Sequence, residues 1–398
     1  MILTERSFDD PVIEVMSQSP RLEMLQARLR QAGMRPVAIS SVQNHNSIDP
    51  LFVDLDVYPN AQIDSPQRLI VTLGAAKPDN VNSIHLSDTN LIQTLPTRLA
   101  IRRRERQRQR EAALRAETAK QLGQAQNTSN AQIKPRLLWL GQNAPFLNAI
   151  KSNLQANGIE LVAALSRVTA EDYLAKGGFD ALMLYPSNAG DEASQFLKKH
   201  LSTDRSDTAK LVLLTTPETA AAIDRNNMDK VDAILDLVNE PDILSRRLLG
   251  FCETLSRAEP ARHRLATHTT EKMTGLATRA FLEAHLQTQL RDADETGERL
   301  CLLALTATDG TALPLIAETI RPLLRETDLA ARLDQDHICI TMPATAYRGA
   351  VTLARRIEAE LTATISWRVI ERRRFHTLKT LLGGLTAKPH VSIRRKSA

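Results

Sequence analysis

The sequence has few cysteines, few aromatic residues and no long apolar run. Its 3 cysteines among 398 residues are scattered, which argues against a disulfide framework and indicates a reducing compartment. No apolar stretch approaches the roughly 18 residues that a membrane helix needs, and the first residues lack the basic and apolar regions of a secretory signal. These absences predict a cytoplasmic protein without a membrane span.

Familiar catalytic and metal-binding motifs are also missing. There is no Gly-rich phosphate loop, nucleophile elbow or Ser/His/Asp set, and the 9 histidines form no cluster with one another or with cysteine. A structural zinc is therefore not expected. At roughly 100–200 residues per domain, the length predicts two to four domains. Because aromatic residues make up only 4% of the chain, Leu, Ile, Val and Ala must build the cores.

The positive charge of the chain is concentrated locally. Lys and Arg total 51 against 46 acidic residues, but the segment Arg102–Arg110 alone contains 6 arginines. Residues 102–111 have no apolar side chain, so this stretch is expected to be solvated, bridging or bound to something acidic. No aromatic residue lies among the arginines, which disfavours nucleic-acid binding. A solvated interdomain or coiled-coil helix is the preferred interpretation.

Residues 136–257 alternate short apolar runs with helical stretches. Such strand–helix units predict an α/β domain with a doubly wound parallel sheet, and the flavodoxin-like strand order 2-1-3-4-5 is the natural candidate. The predicted strands are Arg136–Leu140, Glu160–Ala164, Asp180–Leu184, Lys210–Leu214 and Val231–Leu235. The predicted helices are Pro145–Asn157, Thr169–Lys176, Ala193–His200, Glu218–Arg225 and Pro241–Leu255.

The first hundred residues repeat this pattern with shorter connections. Pro20–Ala32 has the leucine spacing of a helix, and one long helix is predicted from about Thr89 to Gln121. The polar segment Gln121–Lys134 is interpreted as a linker. The predicted strands are Pro11–Met16, Pro36–Ile39, Pro50–Asp54, Leu69–Leu73 and Ile84–Leu86. Either some helices of the repeated unit have become loops here, or the strand assignments are wrong.

From Glu271 onward the pattern becomes mixed α+β. The domain boundaries predicted from these changes are 1–120, a linker at 121–134, 135–258 and 266–398. The predicted helices are Thr278–Leu290, Leu313–Arg325 (disturbed by Pro322) and Ala346–Leu361, with a buried strand at Leu300–Leu305 and a hairpin at about Ala330–Met342.

The last domain resembles the GGDEF family, whose members make cyclic di-GMP from two GTP. The match begins at Lys272–Arg279 and is strongest at Arg325–Leu333 and Ile340–Ala346. The resemblance implies a nucleotidyl-cyclase-type α+β fold over roughly 270–365. The tail after Ser366 departs from the family.

The residues that the family uses for catalysis are replaced. The pentapeptide positions are Asp334–Ile338, so side chains stand where glycines would let the backbone approach the nucleotide. Thr306 falls where a metal-binding acid is expected, and Thr is a poor replacement for a magnesium carboxylate. Only Asp336 keeps a potential metal ligand. We therefore expect no cyclase activity, no catalytic residue and no bound metal.

The inhibitory-site motif of the family, R-x-x-D, is retained as Arg325 and Asp328. The motif alone is weak, but this copy stands five residues before the pentapeptide position, as in the family. Arg356 matches a second arginine that the family can use on the same ligand. The resemblance implies cyclic di-GMP binding by Arg325, Asp328 and Arg356; alternatively, Arg325 and Asp328 are a surface pair left over from ancestry.

The two upstream domains resemble receiver domains of two-component signalling. In the middle domain, the positions of a receiver's functional groups are occupied by Gly141-Gln142, Tyr185 and Glu240-Pro241. That domain is therefore expected to be inactive. In the first domain, Asp54 stands at the phosphoacceptor position, although the metal-binding acids are absent. Asp54 is therefore a vestigial phosphoacceptor or an exposed carboxylate at a strand end.

The arrangement as a whole resembles alphaproteobacterial response regulators with two receiver-like domains and a GGDEF domain. It implies a non-enzymatic cyclic di-GMP effector or adaptor, with protein partners that include protease-delivery components in cell-cycle control, homodimerisation and a place at the cell pole. The alternative is a ligand-independent scaffold built from inactive domains.

Overall fold

The computed structural model describes residues 12–40, 49–59, 68–74, 83–123, 135–142, 145–164, 166–187, 190–202, 210–215, 231–236, 244–252, 269–307, 313–361 and 365–386. The chain divides into two compact units. Met1–Arg106 and Ile133–Leu255 form the first, and Gln107–Gln132 and Ser256–Ala398 form the second.

The first unit begins with a five-stranded parallel sheet. Its strands are β1 (Val12–Met16), β2 (Arg35–Ala38), β3 (Leu51–Asp54), β4 (Ile70–Leu73) and β5 (Ser83–Leu86). They are ordered β2-β1-β3-β4-β5, so the five strands predicted for this region are confirmed. Helix α1 (Arg21–Gln31) buries Leu25 and Leu29 in the same core as the sheet.

A second parallel sheet in this unit has the same topology. Its strands are β6 (Arg136–Gly141), β7 (Glu160–Ala164), β8 (Ala181–Tyr185), β9 (Lys210–Thr215) and β10 (Ala233–Asp236). The order β10-β9-β8-β6-β7 is the predicted order 2-1-3-4-5 read from the opposite edge. The helices are α3 (Pro145–Ala156), α4 (Arg167–Lys176), α5 (Glu192–Ser202) and α6 (244–252).

The near-continuous apolar strands of this sheet follow from burial on both faces. Trp139 and Leu138 are adjacent on β6 and contribute to two separate cores. Helices α3 and α6 cover one face, and α4 and α5 cover the other. The prediction of a doubly wound parallel sheet is therefore correct.

The long helix α2 (Leu95–Gln121) follows a 3-10 turn at Thr89–Thr94. The expectation that its arginine run is solvated was wrong. Arg102 and Glu105 are buried and form an ion pair at 2.6 Å, and of residues 102–110 only Arg103 is exposed. Acidic side chains pair with several of the arginines, so a stretch without apolar residues can still lie against protein.

The second unit contains a four-stranded antiparallel sheet. Its strands are β11 (Leu300–Ala307), β12 (Leu329–Arg332), β13 (His337–Pro343) and β14 (Ile365–Glu371), in the order β12-β13-β11-β14. Helices α8 (Leu313–Ile320) and α9 (Tyr347–Glu360) cover one face. Helices α7 (Arg279–Thr296) and α10 (Leu378–Thr386) cover the other.

The chain after Ser366 is part of this domain. Strand β14 pairs with β11 from Cys301 to Ala307, and α10 buries Leu381 and Leu385 in the domain core. Helix α8 ends at Ile320, before the predicted Arg325, because Pro322 cannot donate a backbone hydrogen bond, and a 3-10 turn at Arg321–Leu323 follows.

Several predictions lie outside the described residues. They are the helix Glu218–Arg225, most of the linker at 121–134 and the pair Glu240-Pro241. Among the helices that are described, none is both long and apolar enough to cross a membrane.

Candidate functional site

The R-x-x-D motif forms a tight turn between the 3-10 segment Arg321–Leu323 and strand β12. The backbone N–H of Asp328 donates to the carbonyl oxygen of Arg325 at 3.0 Å. In return, the backbone N–H of Arg325 donates to Asp328 Oδ2 at 2.9 Å. A carboxylate three residues after the N–H group thus closes the turn, which fixes the relative position of the two residues.

The carboxylate of Asp328 is buried and only half satisfied. The residue is 9% exposed, and its Oδ1 atom is buried without a hydrogen-bond partner among the described residues. Burial raises the pKa of Asp328 to about 6, although the N–H and the charge of Arg325 and the charge of Arg115 oppose the rise. An unpaired buried oxygen is costly and calls for a donor.

The two arginines of the predicted site have the opposite character. Arg325 and Arg356 are exposed, and no hydrogen bond or ion pair joins either guanidinium to another described residue. Leu324, which precedes Arg325, packs on the core that contains Ile357 of α9. The residues beside Arg325 and Arg356 therefore pack in the same core, on one face of the antiparallel sheet.

A segment that the sequence analysis did not connect with this site lies against it. We call Gln107–Gln121, the second half of α2, the docking segment; it belongs to the same unit as the antiparallel sheet. Arg115 Nη2 donates to the carbonyl oxygen of Asp328 at 3.2 Å. Arg108 lies 3.5 Å from the carboxylate of Glu326, inside the R-x-x-D turn.

The docking segment is held to α7 by a buried polar network. Glu111 Oε1 lies 2.7 Å from His285 Nε2, and Gln289 donates to Glu111 Oε2 at 3.1 Å. Thr118 Oγ1 lies 3.1 Å from His285 Nδ1. Burial would raise the pKa of Glu111, but His285, Arg115 and Gln289 outweigh it and lower the value to about 2.

No residue of this network was identified from the sequence. The available signal was the position of Glu111 at the end of the arginine run, together with an isolated His285 inside an amphipathic helix. Glu111 pairs with Arg115 on α2, but only the packing of α2 on α7 brings Glu111 and His285 together.

The turn at the pentapeptide position is closed by a carboxylate. Asp334 Oδ1 accepts from the backbone N–H groups of Asp336 and His337, both at 2.9 Å, and lies 2.7 Å from His337 Nδ1. Burial opposes but does not prevent the resulting fall in the pKa of Asp334. A groove of about 510 Å³ beside it is lined by Arg279, Glu283, Leu333, Asp334, Leu378, Lys379, Leu382 and Gly383.

The residues near this turn do not fit a magnesium site. Thr306 on β11 pairs across the sheet with His337, and Asp336 is exposed on the turn. Within the described part of the chain, no three His, Cys, Asp or Glu residues are grouped closely enough to hold a metal ion.

The interpretation of Asp54 as an exposed carboxylate at a strand end is wrong. Its side chain is fully buried at the end of β3. Ser17 Oγ donates to Asp54 Oδ2 at 2.8 Å, and Arg21 Nε lies 2.6 Å from the same oxygen. The second carboxylate of the cluster, Asp56, lies 2.5 Å from Arg21 Nη2. An internal cation therefore lies at the carboxylate that the receiver resemblance marks as phosphoacceptor.

The corresponding place in the second sheet is filled by an aromatic side chain. Tyr185 ends β8, and its ring lies 5.9 Å from that of Trp139 and 5.5 Å from that of Phe146. A side chain at Gly141 would come within 2.8 Å of Tyr185 Cβ, so the glycine leaves room for this packing. No carboxylate occupies the strand end.

Comparison with known proteins supports one part of the resemblance. No family model matches the chain. The diguanylate cyclase TpbB of Pseudomonas aeruginosa is 34% identical over 127 residues, which cover 28% of this chain and 28% of TpbB. This similarity supports a GGDEF-type domain. The chain spans little more than a quarter of the length of that relative.

Solved structures of GGDEF domains are also similar to part of the chain. The GGDEF domain of DgcB from Caulobacter crescentus, in complex with c-di-GMP, is 20% identical, with a TM-score of 0.29, over 30% of this chain and 84% of that chain. The GGDEF domain of TpbB is 26% identical, with a TM-score of 0.27, over 29% of this chain and 82% of that chain.

Proposed function

We propose that this protein is a non-enzymatic effector that binds cyclic di-GMP through Arg325, Asp328 and Arg356. The bound ligand alters protein–protein interactions in a bacterial signalling pathway. The support for the family comes from the partial similarity to a diguanylate cyclase. The effector role rests on the state of two sites in the GGDEF-type domain.

The observation that carries the proposal is a buried, half-satisfied carboxylate in the same turn as the exposed Arg325. Arg325 and Arg356 stand free of other described side chains, and Asp328 Oδ1 lacks a donor.

Cyclic di-GMP has the groups that these side chains need. A guanidinium can bind the O6 and N7 atoms of guanine with two hydrogen bonds, and a carboxylate can accept from the guanine N–H groups. At about 1–3 kcal/mol for each good bidentate contact, three residues supply roughly 3–9 kcal/mol. Micromolar binding corresponds to about 8 kcal/mol, which lies within this range.

The absence of cyclase activity is the second part of the proposal. Asp334 places a carboxylate at a turn where a triphosphate would have to approach the backbone, and like charges repel. Magnesium is normally held by carboxylates together with substrate phosphates. Thr306 supplies no carboxylate, and the exposed Asp336 is a single ligand.

The two parallel-sheet domains are proposed to be receiver-type domains that serve as docking modules. Asp54 is neutralised by Arg21 and bonded by Ser17, and Tyr185 occupies the equivalent strand end of the second sheet. Neither place offers the free carboxylates that phosphotransfer with magnesium requires. A role in polar localisation or regulated proteolysis would belong to these modules.

A ligand-independent scaffold is the second candidate. It is favoured by the burial of the Asp328 carboxylate, whose Oδ2 atom is already bonded within its own turn. On this reading the turn is a relic that only stabilises the domain. Binding experiments separate the two candidates.

The decisive experiment is calorimetric titration of the full chain with cyclic di-GMP. Wild type is expected to bind at micromolar concentration or tighter, and Arg325→Ala is expected to bind at least about 100-fold more weakly because a bidentate contact is lost. Arg355→Ala removes an equally exposed arginine on α9 and is the matched control. Equal affinity in wild type and Arg325→Ala, or turnover of GTP with magnesium, would contradict the proposal.

A further inference from the structure

We propose that the docking segment Gln107–Gln121 is an internal regulator of the R-x-x-D turn: docked, it keeps Asp328 from the ligand, and ligand binding releases it. The inference rests on the proposed function of that turn. It also gives a role to the arginine-rich helix, which the ligand site alone leaves unexplained.

In the docked arrangement the carboxylate of Asp328 is inaccessible to a ligand, whereas the two arginines of the proposed site are accessible. The carboxylate is buried, with Oδ2 committed to the N–H of Arg325 and Oδ1 without access to solvent. Arg325 and Arg356 are exposed. To accept from guanine N–H groups, Asp328 must turn outward and lose the bond that closes its turn.

The docking segment holds the turn from outside. Arg115 donates to the carbonyl oxygen of Asp328, and Arg108 pairs with Glu326. Both contacts reach residues between Arg325 and β12, which are the residues that must move. Arg115 also donates to Glu111 at 2.9 Å, so the contact at the turn is joined to the buried network on α7.

The docking segment is attached to α7 by polar side chains rather than by apolar packing. Glu111, Thr118, His285 and Gln289 are all buried. Glu111 and Thr118 also have partners on α2, but the contacts of His285 and Gln289 with Glu111 exist only in the docked arrangement, which favours two discrete states over a continuum. Outside it, exposed pairs such as Arg291 with Glu117 contribute little. Such an attachment can be reversed by a ligand that competes for the turn.

Thermodynamic linkage relates the docking of the segment to ligand binding. If docking and ligand binding oppose one another, the ligand must weaken docking by the same factor by which docking weakens ligand binding.

The test uses the full chain and two measurements. Cyclic di-GMP affinity is measured by calorimetry for wild type, Arg115→Ala, Arg108→Ala and the control Arg291→Ala. Amide hydrogen exchange of Gln107–Gln121 is measured in wild type with and without cyclic di-GMP. Arg108→Ala removes one half-exposed pair, and it keeps the test intact if Arg115→Ala fails to fold.

We expect Arg115→Ala and Arg108→Ala to bind cyclic di-GMP about tenfold and about threefold more tightly than wild type, and ligand to speed exchange in the segment about tenfold. Arg291→Ala is expected to change affinity by less than about twofold, because its exposed pair does not touch the turn.

Two results overturn the inference while the proposed function stands. One is wild-type binding that needs Arg325 but leaves exchange in the segment unchanged and the variant affinities equal. The other is weaker binding by Arg115→Ala, which would make Arg115 a ligand contact instead. If neither wild type nor Arg115→Ala binds cyclic di-GMP, the proposed function fails and the inference falls with it.

Discussion

Two buried aspartates, one at the end of β3 and one in the R-x-x-D turn, differ in how completely the protein pairs their carboxylates. Asp54 is bonded by Ser17 and paired with Arg21, and both of its oxygens have partners. Asp328 has one oxygen bonded to the N–H of Arg325 and the other unpaired. Its own motif arginine extends outward instead of neutralising it.

The carboxylate of Asp54 has all its partners within the protein, whereas that of Asp328 does not. At Asp54 the protein supplies the cation itself, so nothing is left for an external group to satisfy. At Asp328 an unpaired oxygen and the exposed Arg325 leave both acceptor and donor capacity unused. An external ligand can complete such a site, which is why we propose binding at Asp328 and none at Asp54.

The largest expected effect concerns the uncommitted arginines. Arg356→Ala is expected to weaken cyclic di-GMP binding about 10- to 100-fold, because one bidentate contact is lost. Arg21→Ala removes an arginine that is already committed to Asp54 and is expected to leave the affinity unchanged. Calorimetry on the full chain measures both. Equal losses in the two variants would remove the distinction between the sites.

The next effect concerns stability. Asp54→Asn is expected to lower the free energy of unfolding by about 2 kcal/mol, because a buried ion pair loses one partner. Asp328→Asn is expected to change it by no more than about 1 kcal/mol at pH 8, since an unpaired buried charge is removed. Urea denaturation followed by circular dichroism compares them. A larger loss for Asp328→Asn would contradict the comparison.

The smallest expected effect is a pH dependence of stability that arises from the titration of Asp328. Burial raises its pKa from 3.8 to about 6, so its contribution to stability is full below the ordinary value and is lost as the pH rises through 6. Between pH 5 and 7 this amounts to about 1.4 kcal/mol. Glu111, with its pKa lowered to about 2, loses its stabilising effect only below its ordinary 4.5.

Ligand affinity is expected to change in the opposite direction over the same range. Only the ionised carboxylate accepts fully from guanine, so affinity should rise about tenfold from pH 5 to 7. Asp328→Asn should abolish both dependences. Calorimetry and urea denaturation at the two pH values measure them, and an Asp328→Asn protein with an unchanged pH profile would assign the titration to another group.

Much of the fold was predictable because it depends on local periodicity. The short apolar strands of both parallel sheets and the hairpin of the third were found from their patterns, and the flavodoxin-like order was correct. The arginine run was misinterpreted because its partners are distant in sequence. Arg110, for example, lies 2.7 Å from Asp292 on α7.

The candidate site was predictable in part for the same reason. Arg325 and Asp328 are three residues apart and could be recognised by their register against the hairpin. The burial of Asp328 could not be foreseen, and neither could the contact of its carbonyl oxygen with Arg115, which lies more than two hundred residues earlier. The pairing of Asp54 with Arg21 joins residues from two different elements and left no signal in either.

The sequence by itself therefore determined the secondary structure and the spacing of Arg325 and Asp328, since these depend on neighbouring residues. Only the tertiary structure decided which charges are neutralised. Pairing depends on distances across the fold, and burial makes each unpaired group costly. That is why Asp54 is paired with Arg21 while Asp328 is buried with one oxygen unpaired.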